Sequence, residues 1–129
     1  MNGSTQGKSF AILLVEDEPV IRELVRSMLS DGEVTVECAE TGADGLRLAK
    51  SQPFNLILLD VVLPQMDGIS LCRMLKSDPL TSSIPLYMLT AKTKKVDMEL
   101  ATRAGADGYI VKPFRGAELM DLVARLRGV

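Results

Sequence analysis

Histidine is missing from all 129 residues. That absence excludes Ser-His-Asp and Cys-His nucleophile systems, histidine-ligated zinc, and any phosphohistidine formed within this chain. Cysteine is nearly missing as well. Cys38 and Cys72 are the only two, each flanked by core-like residues, and they read as buried reduced thiols of a cytoplasmic protein, with no disulfide or metal role. The longest apolar stretches, such as residues 56–59, fall far short of the roughly 20 residues of a membrane span. Charge of one sign is lacking too: the net charge is -2, which leaves no electrostatic footprint for nucleic acid or for a membrane surface. No Gly-x-Gly-x-x-Gly or Gly-x-x-x-x-Gly-Lys-Ser/Thr segment follows the first apolar run, which argues against a nucleotide or flavin binder. Internal repeats and low-complexity segments are absent.

What remains is a chain of ordinary globular composition, 47% hydrophobic and 25% charged, long enough for one buried core and too short for two. Residues 1–9 are polar, with Gly and Ser, and read as a flexible lead, not a signal peptide; the folded domain is expected over 10–128. Short β-like runs alternate with helix-like stretches. Phe10–Val15 is a continuous apolar run suited to a strand buried on both faces. Val20, Ile21, Leu24, Val25, Met28 and Leu29 then recur at helical spacing behind Pro19, with Asp31-Gly32 as the expected stop. Val34–Ala39 alternates and so belongs nearer a sheet edge. Residues 43–51 read as a helix. Residues 54–59 form the most apolar strand, the expected centre. A helix through Ile69, Cys72 and Leu75, a strand over 84–89, a thinly apolar helix over 94–104, a strand over 107–111 and a last helix over 117–126 complete the series. Five strands alternating with five helices predict an α/β fold: a parallel sheet with helices on both faces.

In such a sheet, ligands collect beyond the carboxyl ends of the strands. Those ends supply Glu16, Asp17 and Glu18, then Asp60, Thr90, and Lys112 before Pro113. Several carboxylates on one rim repel one another and call for a hard divalent cation, a proton or a lysine; carboxylates with water suit Mg²⁺. A carboxylate beside Mg²⁺ can attack a phosphoryl group to form an acyl phosphate, whose oxygens need neutralising partners already in place. Each residue alone has a plainer explanation. Acids before Pro19 favour a helix N-terminus, Asp60 closes a strand, Thr90 is a β-branched strand residue, Lys112 is a solvated loop lysine, and Asp67 starts the following helix. The joint occurrence is what points to chemistry.

Four segments carry a resemblance. They are Ile12-Leu13-Leu14-Val15-Glu16-Asp17-Glu18-Pro19, Leu58-Leu59-Asp60-Val61-Val62-Leu63-Pro64-Gln65-Met66-Asp67-Gly68, Met88-Leu89-Thr90-Ala91, and Gly105-Ala106-Asp107-Gly108-Tyr109-Ile110-Val111-Lys112-Pro113-Phe114. In this order, over about residues 10–127, the chain resembles the response-regulator receiver domain of two-component systems. The resemblance implies a flavodoxin-like doubly wound sheet of order 2-1-3-4-5 and a phosphoacceptor signalling domain that depends on Mg²⁺. Asp60 would be the phosphorylated residue. Asp17, Asp60 and the Val62 backbone oxygen would hold the metal, with Glu16 acting through water. Thr90, Lys112 and the Ala91 backbone N–H would contact the phosphoryl group. Thr90 and Tyr109 would form the switch, the Lys112-Pro113 bond would be cis, and the surface of the fourth helix, fifth strand and fifth helix would carry the output.

Val62 is apolar and cannot orient a water, and Lys92 could obstruct access, so slow self-dephosphorylation is expected, with self-phosphorylation from small donors. With no histidine here, the phosphoryl group must come from a partner sensor histidine kinase or phosphotransfer protein, with an effector domain in cis or in trans. Gly108 and Leu122 stand where an acidic residue and an arginine are common in regulators that dimerise through that output face, which argues against this mode of dimerisation. Two alternatives stay open: a phosphorylation-independent interaction module, and a phosphohydrolase with an aspartyl nucleophile. The latter would want an Asp-x-Asp pair and a capping insertion, whereas Asp17 is followed by Glu18-Pro19.

Overall fold

Apolar runs with no polar face have to be covered on both sides, and the chain does this by layering helices over a sheet. The computed structural model describes residues 9–91 and 95–128. The strands are β1 (Phe10–Val15), β2 (Val34–Ala39), β3 (Leu56–Asp60), β4 (Leu86–Ala91) and β5 (Gly108–Lys112). The helices are α1 (Pro19–Leu29), α2 (Gly42–Ser51), α3 (Gly68–Ser77), α4 (Lys95–Arg103) and α5 (Gly116–Arg127). The sheet order is β2-β1-β3-β4-β5, every pair parallel, as the resemblance implied. All of β3 is buried, at the centre of the sheet, while β2 alternates at an edge.

Because successive strand residues point to opposite faces, the core divides in two. Leu13, Val15, Ile57, Leu59 and Met88 pack with Leu71 and Leu75 of α3 on one face. Ile12, Leu14, Leu56, Leu58 and Leu89 pack with Val25 of α1 and Leu119 and Val123 of α5 on the other. Each such side chain contributes roughly 1.5–3 kcal/mol by leaving water, so the strands are fixed firmly. The helix α4 is held differently: Ala101 is its one buried residue, and Val96 and Leu100 are exposed.

Helix starts follow local chemistry. Pro19 occupies the first turn of α1, where its missing N–H costs nothing. The Thr41 hydroxyl accepts from the Asp44 N–H (3.1 Å) at α2, and the Asp67 carboxylate accepts from the Ile69 N–H (3.1 Å) at α3, the starting role expected of it. Among the described residues no helix is long and apolar enough to cross a membrane.

Some expectations need correction. The strands after β2 run one or two residues further than their apolar runs, so Asp60, Thr90 and Lys112 lie within strands and not beyond them. Pairing sets the ends: Asp60 registers with Leu89, Thr90 with Val111 and Ala91 with Lys112. Helix α1 stops at Leu29, not at Asp31-Gly32; Ser30 is extended, and the Asp31 carboxylate accepts from the Glu33 and Val34 N–H groups in the turn into β2. Cys38 is only half-buried, because it sits on the edge strand, whereas Cys72 is fully buried, its thiol pushed up to about 11 by burial. Both are free thiols. The expected flexible lead, apart from Ser9, and the expected start of the fourth helix at Lys94 lie outside the described residues.

Gln65, in the loop between β3 and α3, has φ 67°, a left-handed conformation that costs a side chain roughly 1 kcal/mol. Gln65→Gly should therefore stabilise the protein by up to about 1 kcal/mol, offset in part by the freer unfolded chain. Urea unfolding midpoints check this; a lower midpoint would mean that the Gln65 side chain makes a compensating contact.

Candidate functional site

The sheet delivers its polar residues to one end. Glu16 follows β1, its N–H donating to the Ala39 carbonyl of the edge strand (3.0 Å), which draws the acid inside until it is fully buried. Asp60 ends β3 and Thr90 lies near the end of β4, both buried. Lys112 ends β5, immediately before a cis Lys112-Pro113 bond, as expected.

Lys112 joins these strands. Its ammonium donates to Glu16 Oε1 (3.0 Å) and to Asp60 Oδ2 (3.0 Å), reaching from β5 past β4 to β3 and β1. The second oxygen of Asp60 accepts from the Val62 N–H (3.2 Å), and that of Glu16 accepts from the Glu18 N–H (3.3 Å). Burial first, and then the hydrogen bond and charge of Asp60, push the Glu16 carboxyl from 4.5 up to about 7, against the opposing pull of Lys112. Burial on its own would lower the Lys112 ammonium, but the Asp60 and Glu16 carboxylates outweigh it and hold the group above its ordinary value.

Asp17 is exposed, yet carboxylate oxygens of Glu16, Asp17 and Asp60 lie within 4.8 Å of one another. Three hard oxygen donors this close suit a divalent cation such as Mg²⁺, which takes one or two carboxylates and keeps waters. A cavity of about 350 Å³ opens over them, with Asp17, Asp60, Val62, Thr90, Ala91 and Lys112 in its wall. The Thr90 hydroxyl is buried with no hydrogen-bond partner among the described residues. A buried hydroxyl left unpaired costs about 1–3 kcal/mol, so the site fits a group that brings acceptor oxygens.

The structure thus gathers Glu16, Asp17, Asp60, Val62, Thr90, Ala91 and Lys112. Tyr109 does not line the cavity; it registers with Met88 on the edge strand and is 45% exposed. Lys92 lies outside the described residues. One site-forming residue escaped the sequence reading, which gave Asp67-Gly68 only a helix-starting role. A Cβ on Gly68 would run into the Asp60 carbonyl oxygen and the Val61 backbone, so glycine lets α3 press against the end of β3. The Gly68 N–H donates to the Val61 carbonyl (3.0 Å), fixing that approach. The only signal for it was the glycine itself, shortly after the acid it supports.

Comparison with known proteins fits this geometry. The family model described as the response regulator receiver domain matches residues 12–124. The transcriptional regulatory protein CseB of Streptomyces coelicolor is 41% identical over 118 residues, which covers 92% of this chain and 48% of CseB; the chain spans about half the length of the curated relatives it matches. The chemotaxis response regulator CheY4 of Vibrio cholerae superposes with a TM-score of 0.84 at 30% identity, over 92% of this chain and 98% of CheY4. The receiver domain of the sensor histidine kinase PA1611 of Pseudomonas aeruginosa PAO1, with a magnesium ion coordinated in its active site cleft, gives 0.84 at 34% identity, over 94% of this chain and 99% of that one.

The raised pKa of Glu16 has a direct consequence for stability. Between about pH 4.5 and pH 7 the folded state retains a proton that the unfolded chain has released, so stability falls as pH rises through this window. Without metal, Glu16→Gln should flatten that decline, gaining about 1–3 kcal/mol over the wild type at pH 8 relative to pH 4.5. Chemical denaturation at the two pH values measures it, and parallel curves for the two proteins would contradict it.

Proposed function

This chain belongs to the response regulator receiver domain family of two-component signalling, and from that premise we propose that Asp60 accepts a phosphoryl group from a partner sensor histidine kinase or phosphotransfer protein. The observation that carries the reading is an unpartnered, buried Thr90 hydroxyl in the cavity where Lys112 grips Asp60. Lys112 marks the anion's place, and Thr90 offers a donor with nothing yet to bond.

In the reaction an Asp60 carboxylate oxygen attacks phosphorus. The bond to the donor's leaving group breaks, and the leaving group departs with the electron pair. Mg²⁺, held directly by Asp17, Asp60 and the Val62 carbonyl and through water by Glu16, would neutralise the carboxylates and the charge on the transferred oxygens. Lys112 shifts from its two carboxylates toward a phosphoryl oxygen. The Thr90 hydroxyl and the Ala91 N–H donate to others, so the charge on the phosphoryl group is met by donors on the same rim.

The added charge and acceptor oxygens then draw Thr90 inward, and Tyr109, now exposed, turns into the space it leaves. The helix α4, with its single buried residue, yields readily. The face of α4, β5 and α5 carries the output to an effector, in cis or in trans. The acyl phosphate lasts because Val62, 70% exposed beside Asp60, has no side-chain group to orient a water; an obstructing Lys92 would act in the same sense.

Incubation with acetyl phosphate and Mg²⁺ tests the reading by intact mass. The wild type should gain one phosphoryl group and Asp60→Asn none; an adduct that survives in Asp60→Asn would contradict it. Val62→Asn should shorten the lifetime of the adduct by roughly tenfold through a positioned water, and an unchanged lifetime would remove the basis for slow self-dephosphorylation.

A further inference from the structure

Asp97 has no part in the reading above, yet it lines the same cavity as Asp60, Thr90, Ala91 and Lys112. It stands half-buried in the first turn of α4, and among the described residues it makes no hydrogen bond or ion pair. An acid in a first helical turn ordinarily complements the positive end of the helix. Here it does so at a helix end that borders an anion site, and it cancels the attraction that end would otherwise exert on a phosphoryl group.

Among the described residues, the acids gathered at Asp60 already have partners for their charge. The Glu16, Asp17 and Asp60 carboxylates are matched by Lys112 and a divalent cation. Glu18 also faces the cavity, but from the α1 side, next to Asp17. Among the described residues, Asp97 is the acid on the β4–α4 wall of the cavity, where Thr90 and Ala91 receive the phosphoryl oxygens.

We propose that Asp97 is a charge-selective wall of the phosphoryl pocket: it opposes highly charged phosphodonors and makes a bound phosphoryl group press on the first turn of α4. The inference rests on Asp60 as the acceptor. The repulsion falls on a helix whose one buried residue is Ala101, so α4 offers little resistance to it. Like charges several ångströms apart in a partly buried cleft alter rates by about threefold to tenfold, and salt weakens the effect.

The test compares two small donors with Mg²⁺: acetyl phosphate, a dianion at neutral pH, and phosphoramidate, which carries less negative charge. Phosphorylation rates are measured for the wild type, Asp97→Asn and Asp97→Glu at low and high ionic strength. At low salt Asp97→Asn should speed the acetyl phosphate reaction about threefold to tenfold and the phosphoramidate reaction less. The difference should shrink as salt rises, and Asp97→Glu should behave as the wild type. An equal change for both donors, no change, or a difference indifferent to salt would overturn the proposal and leave Asp97 a helix-end acid. Should Asp97→Asn fold poorly, Asp97→Ser keeps an oxygen for the helix end without the charge and carries the same comparison. If the wild type itself takes no phosphoryl group from either donor, the Asp60 reading fails, and this inference with it.

Discussion

One ammonium, that of Lys112, holds together the acid that ends β3 and the acid that follows β1. Glu16 and Asp60 are both buried at the same end of the sheet, and two carboxylates without a counter-charge there would be costly. Lys112 bonds both at 3.0 Å, although β4 separates its strand from β3. That reach depends on the sheet being in register: Ala91 beside Lys112, Asp60 beside Leu89, and Val15 beside Leu59. The apolar layers on either face matter to the site chiefly because they hold this register.

The arrangement is not one that stability alone would select. Buried ion pairs contribute little net stability, since desolvation consumes most of the attraction. The Glu16 carboxyl is pushed up to about 7 even with Lys112 beside it. Among the described residues the Thr90 hydroxyl has no partner, at a further cost. Both costs fall when a cation and a group with acceptor oxygens arrive. On the proposed reading, a site left short of its partners, next to a helix that the core barely holds, would convert local charge chemistry into a movable surface. In that reading the firmly packed β3 and the loosely held α4 are its fixed and movable ends.

Much of this was legible in the sequence because it rests on local rules. The run over 54–59 announced the central strand, the alternation in Val34–Ala39 announced an edge, and Pro19 and Asp67 announced helix starts. The spacing of Asp17, Asp60, Thr90 and Lys112 along strand ends brought them to a single cavity. What escaped depends on packing between distant segments. Strand pairing, and not polarity, carried Asp60, Thr90 and Lys112 inside their strands. The exposure of Cys38 follows from its edge position. The bond from Lys112 to Glu16, the unpaired state of Thr90 and the contact that requires glycine at 68 all arise from approach in space, for which the sequence holds no local cue. The place of Asp97 in the cavity wall is of the same kind.

On the proposed reading, the acid–lysine clasp opens to receive a phosphoryl group and Thr90 completes its reception. The most direct measurement is a crystal structure with Mg²⁺ and beryllium trifluoride, a phosphoryl mimic that binds carboxylates. Expected are the mimic on Asp60, Lys112 Nζ and Thr90 Oγ1 each within hydrogen-bond distance of a fluorine, and the Lys112–Glu16 contact lengthened. A mimic bound at Asp60 with Thr90 still unpartnered, and with Lys112 still bridging both carboxylates, would contradict it.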